Sequence, residues 1–530
     1  MERYCVDRYV TMDRRRLLKG LGGSALLTTG AASLAACASG PLRFDRHVFG
    51  LGIASGEPAP DGVVLWTKVT APPSLDRHAI PLRWEVAHDE FMIKTVQSGE
   101  ALARPELGHA VHVELTGLDP DRVYFYRFYA GGEASMVGRT KTAPLENARV
   151  DHLRFAVCGC QRRDAGFYTA YVHMADEDLD FVYHSGDYIY ESLWQRAKDW
   201  LRIQLGVSHE WPDDGVRTLN YFRQRYALYK SDPLLQAAHA AAPFITIWDD
   251  HEIDNNWAAD ADQFDGPAEL FLLRRAAAFQ AYYEMMPLRR RSMPNGPMMQ
   301  AYRRFAWGDL ADVSVLDTRQ YRSNQPCGDG KKSREQCPES LAAGRTMLGA
   351  KQEAWLTDGL GRSRRRWNVL AQQVMMMQHD RSSKDDVIAY HMDKWDGAVD
   401  ARKRLLGFVH DHGVPNLVTL TGDVHENWAG DLKLDFDDPN SPTVGHEFVA
   451  TSISSGGDGG DQRKGTAAVL AQNPHMKFFN DQRGYLLCDV TPERWTTHFR
   501  VVDHVTNPGA AIRTRRSLVI ESGRSGLVEA

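Results

Sequence analysis

Between about residues 44 and 145 the apolar positions come in short runs and strict alternations. Val63-Val64-Leu65-Trp66 is one run. Leu82, Trp84 and Val86 alternate with Arg83, Glu85 and Ala87, close to the period of two of a half-buried strand. Tyr124, Tyr126 and Phe128 share one face beyond the Asp119-Pro120-Asp121 turn. Short strands separated by turn residues predict a β-sandwich. Thr142 to Arg149 reads as a linker. From about residue 150 the pattern changes. Phe155-Ala156-Val157, Phe181-Val182-Tyr183, Phe244-Ile245-Thr246-Ile247, Val313-Ser314-Val315-Leu316 and Leu417-Val418-Thr419-Leu420 are short apolar runs. Longer helical stretches, such as Thr169 to Asp178 and Leu270 to Met286, lie between them. The alternation predicts an α/β domain over about 150–515 with a largely buried sheet.

Composition narrows the class. The 530 residues exceed one compact domain. Hydrophobic residues at 43% and charged residues at 25% exclude a disordered, collagenous or multi-span membrane protein. Acids outnumber Lys and Arg by 69 to 63, so there is no basic surplus and no nucleic-acid-binding signature. Seven cysteines are too few for a disulfide scaffold, and no C-x-x-C pair occurs.

Residues 1–37 read as an export signal: Arg14-Arg15-Arg16, then Leu17-Leu18-Lys19, then an apolar, small-residue run from Leu21 to Ala36. The arginines resemble a twin-arginine signal, with Asp13 where Ser or Thr is usual, which implies the twin-arginine export machinery as a partner. Leu34-Ala35-Ala36-Cys37 resembles a lipoprotein box, in which Cys37 would carry a membrane lipid anchor; an ordinary cleavage site near Ala36 fits the same residues. Both readings place the mature protein in the periplasm or outside the cell. In that compartment Cys327 and Cys337, which bracket a loop, are expected to form a disulfide.

The chemistry lies after the apolar runs. They are followed in turn by Cys158-Gly159-Cys160-Gln161, by His184-Ser185-Gly186-Asp187-Tyr188-Ile189-Tyr190-Glu191, by Trp248-Asp249-Asp250-His251-Glu252 with Asn255 and Asn256, by Asp317-Thr318-Arg319-Gln320-Tyr321-Arg322, and by Thr421-Gly422-Asp423-Val424-His425-Glu426-Asn427. The carboxyl ends of parallel strands share one edge, where ligand sites form. Carboxylates suit hard cations, imidazole suits iron or zinc, and thiolate is softer. A two-metal site can clamp a phosphoryl group and activate water for in-line attack.

Gly186-Asp187-x-x-Tyr190, Asp250-His251-Glu252 and Gly422-Asp423-Val424-His425 resemble motifs of purple acid phosphatases and their metallophosphoesterase relatives. Asp250 stands there for Asn and Asp423 for His. With Cys160-Gln161, Leu316-Asp317-Thr318-Arg319-Gln320-Tyr321 and Lys394-Trp395-Asp396-Gly397, the chain is similar to the alkaline phosphatase D family over nearly its whole mature length. Leu118-x-Pro120-x-x-x-Tyr124 resembles the tyrosine corner of fibronectin type III domains, in which the phenol bonds back to the backbone. These resemblances imply a calcineurin-like metallophosphoesterase domain of two face-to-face sheets, preceded by a fibronectin type III-like β-sandwich over about 44–145. The stretch after about residue 480 is expected to return strands to those sheets.

The family likeness also implies ferric iron and calcium. Cys160, Asp187, Tyr190 and His425 would hold iron. Asp187 would bridge to calcium, with Asp250 and Asp423 completing its shell and Asn255 as calcium ligand or phosphate contact. His251 would act on the leaving group or a phosphate oxygen, and Arg319 would contact phosphate or pair with Asp317, itself a candidate orienting residue. Strand alternation puts Cys158 and Cys160 on one face, so only the likeness favours Cys160. His391 and His412 read as scattered surface residues, Met375-Met376-Met377 as core, and Arg362 to Arg366 as a solvated basic stretch. The resulting expectation is an exported phosphomonoesterase using a metal-activated hydroxide. A phosphodiesterase or phospholipase would use the same ligands, and a non-catalytic, calcium-stabilised surface protein is the rival from another class.

Overall fold

The computed structural model describes residue 44 and residues 47–530, except 194–197, 208–216, 329–334 and 385–386. The export-signal residues and Cys37 lie outside the described residues. The N-terminal strands are β1 (Ile53–Ala59), β2 (Gly62–Lys68), β3 (Ile80–Ala87), β4 (Thr95–Ala103), β5 (Ala110–Glu114), β6 (Val123–Ala130), β7 (Glu133–Ala134) and β8 (Gly138–Lys141). They fall into two sheets: β1-β2-β5 forms one end of a ten-stranded sheet, and β4-β3-β6-β7, with β8 on β6, forms a sheet of its own. In β6, Tyr124, Tyr126 and Phe128 are buried while the residues between them are half-buried, as period-two patterning requires. The Asp119 backbone N–H donates to the Tyr124 hydroxyl at 2.9 Å, which is the bond expected of a tyrosine corner.

The catalytic-domain strands are β9 (Leu153–Cys158), β10 (Phe181–His184), β11 (Phe244–Thr246), β12 (Arg303–Trp307), β13 (Ala311–Val315), β14 (Trp367–Ala371), β15 (Leu417–Thr421), β16 (Asn427–Lys433), β17 (Thr443–Val449), β18 (Met476–Asn480), β19 (Gly484–Val490), β20 (Arg494–Val502), β21 (Ile512–Glu521) and β22 (Val528–Glu529). The first sheet runs β22-β21-β20-β19-β9-β10-β11-β1-β2-β5, and the second β12-β13-β14-β15-β17-β16-β18. Strands β19 to β22 are the predicted return after residue 480. The first sheet does not stop at the linker: β1 bridges β11 in parallel at Gly56 and Phe244, so the N-terminal hairpin continues it.

One hydrophobic cluster joins the two large sheets. Phe155, Val157 and Tyr183 of the first pack in it with Val313, Val369 and Val418 of the second. Neighbouring residues point the other way. Leu370 and Leu417 join Leu356, Leu360, Leu405 and Val409 of helices Gly349–Arg362 and Val399–Asp411. The second sheet is thus covered on both faces, which is why β14 is buried at every position. Each such Val or Leu contributes about 1.5–3 kcal/mol by leaving water. Met375, Met376 and Met377 lie in this second core, as expected. The predicted Cys327–Cys337 disulfide is formed, with Cα atoms 5.8 Å apart. No helix among the described residues is long and apolar enough to cross a membrane.

Candidate metal centre

The five apolar runs divide between the sheets. Strands β9, β10 and β11 belong to the first, β13 and β15 to the second. Their carboxyl ends converge where the two sheets adjoin. Close approach of the loops needs glycine at two places. A Cβ on Gly186, whose φ is +111°, would lie 2.4 Å from the Asp249 backbone nitrogen, and one on Gly422 would lie 2.4 Å from Ser185 Oγ.

Backbone strain aims the donors. Cys160, Asp187, Asp423 and His425 have φ of 54°, 54°, 67° and 60°, the left-handed region that non-glycine residues rarely occupy. Each such residue costs about 1–3 kcal/mol and persists only where its surroundings impose it. This also places the two thiols differently. Strand β9 ends at Cys158, so alternation no longer governs Cys160. Cys158 points into the core beside Tyr171, while Cys160 gathers with Asp187 and His425, their ligand atoms all within 4.8 Å of one another.

Tyr190 completes that group. Its hydroxyl donates to Asp187 Oδ2 at 2.7 Å and lies 3.0 Å from His425 Nε2 and 2.7 Å from Ser455 Oγ. Arg162 stacks 3.8 Å from the Tyr190 ring centroid. A second group, Asp187 with Asp250 and His251, and a third, Asp249 with Asp250 and Asp423, meet the same proximity criterion. Asp187 belongs to the first and second and Asp250 to the second and third, so the three form one continuous cluster. Asn255 lines the same cavity, its amide donating to Gln263 at 2.7 Å.

The cluster is electrostatically incomplete by itself. Burial, reinforced by Asp187, Asp249 and Asp423, pushes the Cys160 thiol well up. Burial likewise raises Asp187 and Tyr190, and raises Asp423 to about 6. Burial pushes His425 well down, towards the neutral form that binds metals. Asp250 Oδ1 and Asp249 Oδ2 are buried without a hydrogen-bond partner. Buried acids with orphaned oxygens beside a thiol, a phenol and a neutral imidazole fit bound cations, whose charge reverses these penalties.

His251 sits at the edge of the cluster. Its Nδ1 is 2.6 Å from Glu191 Oε2, and its ring lies 4.2 Å from that of Tyr190. Burial opposes its charged form, but Glu191, Asp250 and Asp187 outweigh this and raise its pKa to about 10. Glu191 is held well below the carboxylate range by His251 and Arg217 despite burial. Glu252 ties two loops together by accepting the backbone N–H groups of Asp187 at 3.1 Å and Asp249 at 2.8 Å.

Arg319 differs from its expected role as a phosphate contact. Its guanidinium is fully buried and spent on carboxylates: Nε on Asp249 at 2.6 Å, Nη1 on Asp393 at 2.8 Å, Nη2 3.5 Å from Asp423. It positions the acids rather than facing the cavity. The expected alternative, an ion pair with Asp317, is also absent. Asp317 instead accepts the backbone N–H groups of Arg319 at 3.0 Å and Gln320 at 2.9 Å, forming the turn that sends Arg319 inward. His391 lines the cavity, contrary to its reading as a scattered surface residue, whereas His412 is exposed. Glu191, Glu252 and Asp393 carried no assigned role in the sequence. Glu191 directly follows Tyr190, Glu252 closes the Asp250-His251-Glu252 motif, and Asp393 directly precedes Lys394-Trp395, so the motifs were their available signal. Ser455 had none.

Two facing sheets with this donor cluster at their adjoining strand ends make a layered α/β protein with a candidate metal centre. The family described as PhoD-like phosphatase matches residues 155–499, and its N-terminal domain matches residues 35–144. The chain is 46% identical to alkaline phosphatase D of Bacillus subtilis (strain 168) over 525 residues, covering 98% of this chain and 89% of that protein. A solved structure of PhoD superposes with a TM-score of 0.87 at 46% identity, covering 92% of this chain and 93% of that one. The chain belongs to the PhoD-like phosphatase family, and it is a phosphoesterase.

Proposed function

We propose that the protein is an exported phosphomonoesterase that holds ferric iron through Cys160, Asp187, Tyr190 and His425, and calcium through Asp250 and Asp423, with Asp187 shared. The observation that carries this is the thiol, phenol and imidazole gathered around Asp187, together with Asp250, which reaches both Asp187 and the carboxylates Asp249 and Asp423. Anionic thiolate and phenolate donors stabilise ferric iron through their charge, and carboxylates suit calcium. When bound, such metals polarise a phosphoryl oxygen and lower the pKa of water.

The chain's own residues do the rest. His251, oriented by Glu191, would give a proton to the leaving oxygen. Arg319 fixes the acids Asp249 and Asp423, and Asn255 stands at the calcium side or against the phosphate. No serine nucleophile is required. The name of the Bacillus relative, alkaline phosphatase D, supports a phosphate ester as substrate. The proposed organisation is an export signal over 1–37, a β-sandwich over 44–145 and a catalytic domain over 150–515. Export by the twin-arginine route would place the enzyme in the periplasm or outside the cell, lipid-anchored if Cys37 is acylated.

Reconstitution tests the metal assignment. Metal-free protein supplied with iron and calcium together is expected to regain aryl phosphate hydrolysis, and either metal alone a small fraction. Full recovery with zinc alone would contradict the reading.

A further inference from the structure

We propose that Lys394 is the phosphate-binding cation of this site, donating to a non-bridging oxygen of the substrate's phosphoryl group; the proposal rests on the phosphoesterase reading. Lys394 lines the same cavity of about 300 Å³ as Asp187, Asp250, Asp423 and His425. It is only 4% exposed, yet among the described residues its ammonium makes no ion pair and no hydrogen bond. A buried charge without a partner is costly, so a site that keeps one has a use for it.

Charge balance for the acids does not explain it. Arg319 performs that task by contact, reaching Asp249 and Asp393 within 2.9 Å, and Arg322 lies 3.2 Å from Asp393. Had Lys394 the same purpose, it would touch a carboxylate as they do. Its backbone is also fixed in place. The Lys394 N–H donates to His391 O at 3.2 Å. Next to it, Trp395 Nε1 donates to Gln372 at 2.8 Å, and Asp396 pairs with Arg402 at 2.6 Å. The ammonium is therefore held at the cavity rather than swinging in from solvent. Exposed Arg381 at the cavity rim adds positive charge on the way in. Of the Lys and Arg side chains that line the cavity among the described residues, Lys394 is the buried one left to meet phosphate. An ammonium is a point-charge donor well suited to a phosphoryl oxygen. A dianionic monoester gains more from it than a monoanionic diester.

The test uses the metal-loaded full chain. Inhibition by inorganic phosphate is measured for wild type, K394Q and K394R against whichever ester the wild type hydrolyses, with metal content and melting temperature alongside. K394Q is expected to raise the phosphate inhibition constant by about 10- to 100-fold, the effect of one charged hydrogen bond, with metal content unchanged. It should also lower the monoester-to-diester rate ratio. An unchanged inhibition constant would overturn the proposal. Should K394Q lose its metals or its fold, K394R decides: phosphate affinity close to wild type supports the charge contact, and its loss overturns it. If the wild type hydrolyses no ester, the phosphoesterase reading fails by itself. Equilibrium dialysis of inorganic phosphate with the same variants then still judges Lys394.

Discussion

The loop after β13 and the loop leading into Trp395 each bury a cation beside the same acids, and they treat it in opposite ways. Arg319 is saturated: Asp249 and Asp393 grip its fork, and Asp423 lies 3.5 Å away. Lys394, equally withdrawn from water, has no such partner. The difference teaches that burial and charge do not identify a substrate contact. What separates a scaffold cation from an available one is whether its hydrogen-bonding capacity is already used.

The strongest way to break this picture is at Asp187, the acid that belongs to two of the three donor groups. Asp187→Asn keeps a side chain that tolerates the left-handed backbone and removes the shared charge. Activity should fall by about 1000-fold or more, several kcal/mol of lost transition-state stabilisation, with metal content reduced and circular dichroism retained. Loss of folding with the metals would instead make the site structural.

Arg319→Ala should act on stability first. It leaves Asp249 buried and unpaired and strips Asp393 of its closest cation, a cost of about 3–5 kcal/mol readable in thermal or denaturant unfolding. Arg319→Lys should recover little, because a single ammonium cannot replace a fork that reaches both acids. If Arg319→Ala kept its stability and lost only substrate affinity, the contrast with Lys394 would collapse.

His251→Ala should lower kcat by about 100-fold while metal content stays unchanged. The loss should be larger for alkyl than for nitrophenyl esters, since poor leaving groups need the proton more. Glu191→Gln should move kcat the same way by less, through the orientation of His251.

The smallest effect sharpens the comparison of the two thiols. Cys158→Ala should cost about 1 kcal/mol as a small core cavity and leave activity intact. Cys160→Ser should change metal content and the visible absorption of the bound metal.

Much of this site was legible because its donors sit in short motifs directly after apolar runs. Asp187, Asp250, Asp423 and His425 were found that way, and the structure gathers them. What sequence could not show is set by contacts between distant segments. Asp393 holds Arg319 from 74 residues away, so the spacing gave no hint that the guanidinium was already occupied. Cys158 and Cys160 were equivalent under strand alternation until the backbone turned left-handed at Cys160. In the fold, period-two patterning located β3 and β6, and apolar runs located β9 to β11. Periodicity does not say which strand lies beside which. That β1 would extend the catalytic sheet through β11 was therefore invisible. Strand β14, buried on both faces, has no alternation to reveal it.

A metal-dependent phosphomonoesterase is the function proposed for this chain. Its most direct test is the ratio of hydrolysis rates on an aryl phosphate monoester and the matching bis-aryl diester, by protein loaded with iron and calcium, with and without chelator. The expected result is faster monoester hydrolysis that the chelator abolishes. A diester preference would contradict the monoester assignment while keeping the ligands, and no turnover of either ester by folded, metal-loaded protein would contradict the account as a whole.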